Sequence, residues 1–283
     1  MANKEANSKY IVDEEIEFLG QPVGHNFEEP EKQIAGYESI KVELLSSSDY
    51  KSWVKGAMWA SLCTWDTTPQ EPVSKMLDLP FEEQEKKLLF MLTKRPISVA
   101  LEAANFTFKI TGVPRAMTHQ IVRHRQMSFG QQSYRVSSCY SDPVRVPVSL
   151  LEKFGKDFSP EGKLVYEDFE KVDNKILHLY ERYTDVVKSC RSIYKDLIEA
   201  GIPMEQARCI MPMGTCTKIA VTMRLRDMVD YFRGRTSDIA QDEHTYIVCL
   251  MAKEMKEKQP EFFKFVVSQV KNLEEMMVKY GIK

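Results

Sequence analysis

Arg123, His124 and Arg125 are consecutive, and after seven intervening residues come Ser133, Tyr134 and Arg135. The stretch between reads Gln126-Met127-Ser128-Phe129-Gly130-Gln131-Gln132. Guanidinium groups hold phosphate through paired, charge-assisted hydrogen bonds. Gly130 has no side chain to keep a ligand away from the backbone, while Ser133 and the amides of Gln131 and Gln132 offer donors along an arc. These residue types within thirteen positions point to a ligand that carries phosphate. Ser133 has no adjacent base in the loop, so it is assigned to binding rather than to nucleophilic attack. The competing reading is a basic helix end that complements the helix dipole and faces water.

A second group of cations lies downstream: Arg208, then Arg224, Arg226, Arg233 and Arg235, with Gln241 and Glu243 opening the helix that follows. Salt bridges among Arg226, Asp227, Asp230 and Asp238 would satisfy two of the four arginines from 224 to 235 and leave the others unpaired. Other chemistries lack their residues. His25, His178 and His244 are too dispersed for a metal triad, and no HExxH or paired Cys/His spacing occurs, so no metal is expected. Neither GxGxxG nor GxxxxGK[ST] is present, so any dinucleotide is held without a Rossmann or P-loop turn. The six cysteines include no CxxC pair and read as free thiols in a reducing compartment. Cys209, beside Arg208, is read as a core thiol. His119, one turn before Arg123, is read as a helix-face histidine hydrogen-bonded locally.

The elements that carry these residues can be placed from hydrophobic period. Phe106, Phe108 and Ile110 alternate with Thr107, Lys109 and Thr111, which predicts a half-buried strand over 105–111 ended by Gly112. Pro114 suits the first turn of a helix, predicted to run to about Gln126, with Arg115, His119 and Arg123 on one face. Ser128 to Ser141 reads as a loop. Val165, Phe169, Val172, Ile176, Leu179, Tyr183 and Val187 form one stripe and predict a long helix over 164–187, continuing from Ile193 to Ala200. Gly201 and Pro203 stop it, and Met204–Ile210 restarts as a short helix. Ile219, Val221, Met223 and Leu225 alternate in a second strand over 217–225, with Arg224 on the opposite side. Helices follow at 227–232 and 239–258, and upstream at 49–63 and 81–93. The methionines from 251 to 277 read as core and interface packing.

Residues 1 to about 38 are polar and are read as an N-terminal extension, with a single α+β domain over 39–283. That domain is expected to pack a mixed or antiparallel sheet under long helices. The net charge of −2, from 39 basic and 41 acidic residues, excludes bulk attraction to nucleic acid or membrane but not a local basic pocket. No run of apolar residues is long enough to span a bilayer, and MANKEANSKY lacks the apolar core of a signal peptide, so a cytoplasmic protein is expected.

Arg-His-Arg, seven residues and Ser, flanked by Phe106-Thr-Phe-Lys-Ile-Thr-Gly-Val-Pro-Arg-Ala116 and by Tyr134-Arg135, resembles the signature of the flavin-dependent thymidylate synthases. Ala207-Arg208, Met211-Pro212, Thr217, Arg226, Phe232, Arg235, Ala240-Gln241 and Glu243 resemble a second block of that family in order and spacing. The likeness spans roughly 50–265 and is weakest between 140 and 200. It implies a homotetramer with active sites between subunits, FAD as cofactor, dUMP as substrate, and methylene-tetrahydrofolate and NADPH as co-substrates. A one-carbon unit would pass from folate to C5 of the pyrimidine without a protein nucleophile. By the same resemblance Arg123, His124 and Arg125 contact flavin, joined as cofactor-binding residues by Gln131, Arg224, Arg226 and Asp230. Gln120, Arg123, Gln131, Gln132, Ser133, Tyr134, Arg135 and Arg208 contact the nucleotide. Arg235 sits on the uracil carbonyl as the catalytic residue, where a fixed guanidinium stabilises developing charge.

The sequence also departs from the family. A usual His before the first strand aligns with Ile97 or Ser98, and a second His aligns with Ala103, although Glu102 is retained. The usual Asn-Glu before Gln-Ser is Gly130-Gln131, the aromatic after the loop arginine is Val136, and the Asn at the second strand's end is Arg224. Three readings therefore stand: methylation of dUMP to dTMP; a diverged flavin enzyme that methylates or hydroxymethylates C5 of another pyrimidine nucleotide; or a non-catalytic nucleotide- or nucleic-acid-binding homologue.

Overall fold

The computed structural model describes residues 34–62, 75, 77–94, 98–151, 153, 155–158, 164–166, 173–237 and 239–282. Along the chain these form β1 (Ile34–Ala35), β2 (Lys41–Ser47), α1 (Tyr50–Leu62), α2 (Phe81–Lys94), α3 (Ser98–Glu102), β3 (Asn105–Pro114) and α4 (Arg115–Ile121). They continue as β4 (Ser128–Gln131), β5 (Val144–Arg145), α5 (Val148–Leu151), β6 (Gly155–Phe158), β7 (Leu164–Tyr166), α6 (Asn174–Glu199) and α7 (Met204–Ala207). The last elements are β8 (Cys216–Arg224), α8 (Leu225–Arg235), α9 (Asp242–Lys258), α10 (Pro260–Gln269) and α11 (Leu273–Lys279).

The central sheet is antiparallel, in the order β2-β3-β8-β4. Period-2 alternation places Phe106, Phe108, Ile110, Ile219, Val221 and Met223 on one side, all fully or nearly fully buried. That face packs against α1, α9 and α10. Phe262 receives Tyr50, Trp53 and Phe106 at ring-centroid distances of 4.9, 5.1 and 5.0 Å, a spacing that favours edge-to-face contact. The outer edge of β2 is not left open to another strand. Leu44 N–H donates to Glu254 Oε2 at 2.8 Å, and Lys258 Nζ donates to the Leu44 carbonyl at 3.2 Å, so α9 caps the edge. The α+β architecture with long helices over an antiparallel sheet is as expected.

Four local expectations change. Gly112 does not end its strand. The register of β3 against β8 shifts between Thr111 and Val113, and Gly112, at φ +73°, allows the chain to bulge and continue to Pro114. The following helix stops at Ile121 rather than at Gln126, so Arg123, His124 and Arg125 stand in a turn and Arg123 leaves the Arg115–His119 face. Ser128–Gln131 is not loop but the short edge strand β4, in register with Ile219–Thr222. The long helix begins at Asn174, where the Asp173 carboxylate accepts from Lys175 N–H as an N-cap. Leu164–Tyr166 instead pairs with β6, and the stripe positions Phe169 and Val172 lie outside the described residues.

Of the expected N-terminal extension, only 34–38 is described. Ile34–Ala35 pairs in parallel with Val144–Arg145, and Tyr37 is buried in the main core against Tyr246, with ring centroids 4.8 Å apart. Met251, Met255 and Met277 are core residues, as their spacing suggests. Among the described residues no helix is long and apolar enough to cross a membrane.

Candidate functional site

The Arg123-His124-Arg125 turn is held between α4 and β4 by backbone bonds. His124 N–H donates to the Ile121 carbonyl, and Met127 N–H donates to the His124 carbonyl, each at 3.1 Å. Met127 then plugs the core at 7% exposure. The turn projects Arg123 and Arg125 outward, and among the described residues neither has a carboxylate within ion-pair distance. His124 turns inward. Its Nε2 lies 2.9 Å from Arg235 Nη2, at the C-terminal end of α8. Arginine only donates, so His124 must present a neutral, unprotonated Nε2 and carry its proton on Nδ1. Burial lowers the His124 pKa and the Arg235 charge lowers it further, both favouring that neutral form.

Below this contact lies a buried group of rings. His124 packs edge-on against Tyr231 at 4.9 Å, and Tyr231 against His244 at 6.3 Å. His244 is fully buried with its pKa pushed down to about 4, by burial first and Arg235 second. The Thr245 hydroxyl donates to the Arg235 carbonyl at 2.7 Å, fixing the end of α8 against α9. The Nε of Arg235 is buried without a hydrogen-bond partner. A buried donor of this kind carries a desolvation cost that a ligand acceptor would relieve.

Gln120, at the end of α4, is exposed, and its Nε2 donates to Gln241 Oε1 at 2.7 Å. One residue on, the chain turns toward Arg123 and His124, so Gln120, His124 and Arg235 share the junction of α4, α8 and α9.

The phosphate-loop residues split between two tasks. Gln131, half-buried, donates to Thr118 Oγ1 at 2.9 Å. The Gln132 carbonyl accepts from Arg115 Nη2 at 2.9 Å, and its N–H donates to the Lys218 carbonyl at 3.0 Å. Tyr134 is 4% exposed; its hydroxyl donates to the Cys216 carbonyl, and Arg115 stacks over its ring at 4.1 Å. Tyr134 therefore anchors the loop to the sheet, and burial pushes its hydroxyl well above the usual phenol pKa. Ser133 stays exposed at the loop's outer turn and accepts from Arg135 N–H at 3.3 Å. Arg135 Nε meets Glu205 Oε2 at 3.1 Å, and Arg208 Nε donates to the Glu205 carbonyl at 3.1 Å. Ser133, Arg135 and Arg208 are thus gathered at the start of α7, although they lie more than seventy positions apart in sequence.

The other expected cofactor residues sit in an ion-pair network. Glu102 accepts from Arg226 Nη1 at 2.8 Å and from Arg224 Nη1 at 3.2 Å, and Asp227 takes Arg224 Nε at 2.8 Å. The Asp227 carboxylate also accepts from Arg224 N–H at 3.4 Å, capping the start of α8. Asp230 pairs with Arg233 at 3.1 Å on the surface. Three of the four arginines from 224 to 235 are therefore carboxylate-paired, not two, while Arg235 takes a histidine; Asp238 lies outside the described residues.

Sequence reasoning missed Arg115, which supports the loop from below, and Arg145, which is 4% exposed and ties β5 to Gly36, Ser39 and Gly112. A lone arginine in a Val-Arg-Val alternation gives no local sign of burial. Cys209 is exposed, not a core thiol, because the 3-10 turn over Arg208–Ile210 rolls it outward. His119 is exposed on α4. Burial pushes Cys139 and Cys216 up to about 11 and Cys249 up to about 12, so these remain thiols near neutral pH. Among the described residues no group of three or more His, Cys, Asp or Glu side chains is placed to hold a metal ion.

Comparisons with known proteins show the family and the fold. The family model for thymidylate synthase complementing protein matches residues 43–261. A flavin-dependent thymidylate synthase of Pyrococcus furiosus is 33% identical over 204 residues, covering 71% of this chain and 73% of its own. One from Clostridium tetani is 30% identical over 229 residues, covering 80% and 86%. Among solved structures, a UMP/dUMP methylase, PolB, of Streptomyces cacaoi with 5-Br dUMP bound superposes with a TM-score of 0.61. It covers 83% of this chain and 97% of its own at 18% identity, a likeness of fold.

Proposed function

Because this chain belongs to the thymidylate synthase complementing protein family, we propose that it is a flavin-dependent one-carbon transferase that converts dUMP to dTMP. Methylene-tetrahydrofolate would supply the carbon, FAD the redox cofactor and NADPH the reductant. The observation that carries this reading is the junction where Arg235, braced by neutral His124, keeps an unpartnered Nε, while among the described residues Arg123 and Arg125 have no carboxylate partner.

The residues fit an anionic flavin nucleotide. Arg123 and Arg125, unpaired among the described residues, would offer their guanidinium groups to its phosphates, and His124 stands between them in sequence as a neutral ring. When bound, the reduced flavin supplies the hydride that completes the methyl group. The chain's own task is binding and electrostatics. Ser133, Arg135 and Arg208 form a cationic corner suited to the nucleotide phosphate. Arg235 would lie on a uracil carbonyl and stabilise the negative charge that builds on the ring as C5 attacks the one-carbon unit. The thiols of Cys139, Cys216 and Cys249 are held protonated by burial, in keeping with chemistry that needs no cysteine nucleophile. The exposure of Arg123 and Arg125 suits an active site closed by a second subunit of a homotetramer. A cytoplasmic location fits the pathway.

The departures from the family pattern favour dUMP methylation over a diverged substrate. The added Arg224 is matched by Glu102 and Asp227, so it brings no free charge to the pocket. Gln131 spends its amide on Thr118. The test is reconstitution: protein titrated with FAD, then supplied with dUMP, methylene-tetrahydrofolate and NADPH. Flavin uptake and dTMP formation are expected, with rescue of a thymidine-requiring strain. Failure to take up flavin overturns the reading, and flavin uptake without dTMP transfers the assignment to another pyrimidine nucleotide.

A further inference from the structure

Gln120 is the outer end of a polar chain that begins in the core. Arg145, 4% exposed, has its Nε 3.5 Å from Glu243 Oε1, and Glu243 is itself 5% exposed. The other Glu243 oxygen, Oε2, accepts from Gln241 Nε2 at 2.8 Å. Gln241 Oε1 accepts from Gln120 Nε2 at 2.7 Å. Both glutamines are exposed, so the chain runs from a buried ion pair to the surface of the junction that holds His124 and Arg235.

With Glu243 ionised, the links point only one way. An ionised carboxylate accepts and never donates. Burial, the largest cause, raises the Glu243 carboxyl, while Arg145, with its Nε 3.5 Å from Oε1, and the Gln241 amide both favour the anion. Gln241 must therefore turn its NH2 toward Glu243 and its oxygen toward Gln120. Gln120 must in turn give its NH2 to Gln241, which leaves its own Oε1, on an exposed residue, without a partner among the described residues. An isolated side-chain amide flips easily and reads donor or acceptor alike; this one has its polarity set from the core.

We propose that Glu243, acting through Gln241, positions the Gln120 amide with its oxygen outward and so makes the nucleotide site selective for a ligand edge bearing a hydrogen-bond donor. The proposal rests on the uridine-nucleotide reading above. Two edges of dUMP carry such a donor, the N3–H of the base and the 3′-hydroxyl of the sugar. Cytosine has an acceptor at N3, and a 2′,3′-dideoxy sugar lacks the hydroxyl. A misoriented amide would leave an acceptor facing an acceptor, which polar sites reject strongly.

The experiment measures equilibrium binding of dUMP, dCMP and 2′,3′-dideoxy-UMP to the flavin-loaded protein and to two variants at the exposed position 241. Gln241→Leu removes both links and frees the Gln120 amide. Gln241→Glu cuts the link to Glu243 but still only accepts from Gln120, at a helix N-cap where a carboxylate is favoured. In Gln241→Leu the wild-type preference for dUMP over one of the two analogues should fall about five- to tenfold, the worth of one net hydrogen bond. A fall against dCMP assigns the base edge, and a fall against the dideoxy nucleotide assigns the sugar edge. Penalties from the changed group at C4 are common to all three proteins and cancel. Gln241→Glu should keep the wild-type preference to within about threefold. Both preferences unchanged in Gln241→Leu overturn the proposal. Equal loss in Gln241→Glu also overturns it, since packing rather than polarity is then at work. No binding of any of the three nucleotides by the wild-type protein refutes the uridine-nucleotide reading itself.

Discussion

Replacing Arg235 with alanine removes the one guanidinium of the junction that is both braced and partly unpaired. Its Nη2 is committed to His124 at 2.9 Å, and its Nε is buried without a partner, so the guanidinium is held in place with donor capacity unmet. Removing a preorganised donor of this kind slows acyl-transfer enzymes by roughly 100- to 1000-fold, about 3–4 kcal/mol of barrier. A comparable loss is expected in single-turnover dTMP formation at saturating nucleotide and folate. Flavin affinity should change by no more than a few-fold, because Arg123 and Arg125, unpaired among the described residues, are untouched. Arg235→Lys should fall between, since ammonium keeps the charge but lacks the rigid planar fork that points two N–H groups in fixed directions. The same variant has a spectroscopic signature. Arg235 is the second cause, after burial, of the lowered His124 pKa, so alanine at 235 should move the His124 titration upward in an NMR pH series. An Arg235→Ala protein within about tenfold of wild-type turnover would refute the assigned role. Equal loss of flavin and turnover would move Arg235 from catalysis to cofactor retention.

Acid should unfold this protein through His244. Its folded pKa is about 4 against an ordinary 6.5, so between those values the unfolded chain binds the extra proton and stability falls as pH drops. The full window is worth about 3 kcal/mol, and the urea midpoint of His244→Gln should lose less between pH 6.5 and 5 than wild type; identical slopes sink the assignment. Gly112→Ala should cost roughly 2–4 kcal/mol in urea unfolding, because φ is +73° and a Cβ would meet the Ser39 carbonyl oxygen at 1.9 Å; an unchanged midpoint would count against the bulge. Glu205→Gln should tighten nucleotide binding modestly at low salt by freeing Arg135 from an exposed pair, with the gain vanishing at high salt; a salt-independent effect would point to another cause.

The sheet was readable because its strands are half-buried and alternate cleanly, as Phe106-Thr107-Phe108 and Ile219-Ala220-Val221 do. The end of α4 was not, because nothing after Ile121 breaks a helix. Arg123, His124 and Arg125 leave it only because Met127 is drawn into the core and β4 is drawn onto β8. Tertiary pairing there overrides local propensity. The loop looked polar throughout, yet Tyr134 is buried; Arg115, nineteen positions earlier, pays for that burial with a stacked cation. Arg145 was invisible for a related reason. Its partners, Gly36, Ser39, Gly112 and Glu243, are scattered over the chain, and only the fold collects them.

The charge arithmetic of the junction separates the cations that hold the fold from those available to a ligand. Arg224 stands where the family resemblance leads one to expect Asn, but Glu102 and Asp227 absorb its charge, and Glu102 serves Arg226 as well. Gln131 stands where the resemblance leads one to expect Glu and turns its amide to Thr118, so relative to that pattern the loop has one negative charge fewer and no added positive one. Arg135 is shared with Glu205, an exposed pair that a bound phosphate can displace at little cost because such pairs are weak in water. Among the described residues that leaves Arg123 and Arg125 wholly free, and Arg235 braced by a base that cannot neutralise it. A histidine in place of a carboxylate is the telling choice. It orients the guanidinium while leaving its full charge to act on the ligand, which a carboxylate at the same distance would cancel.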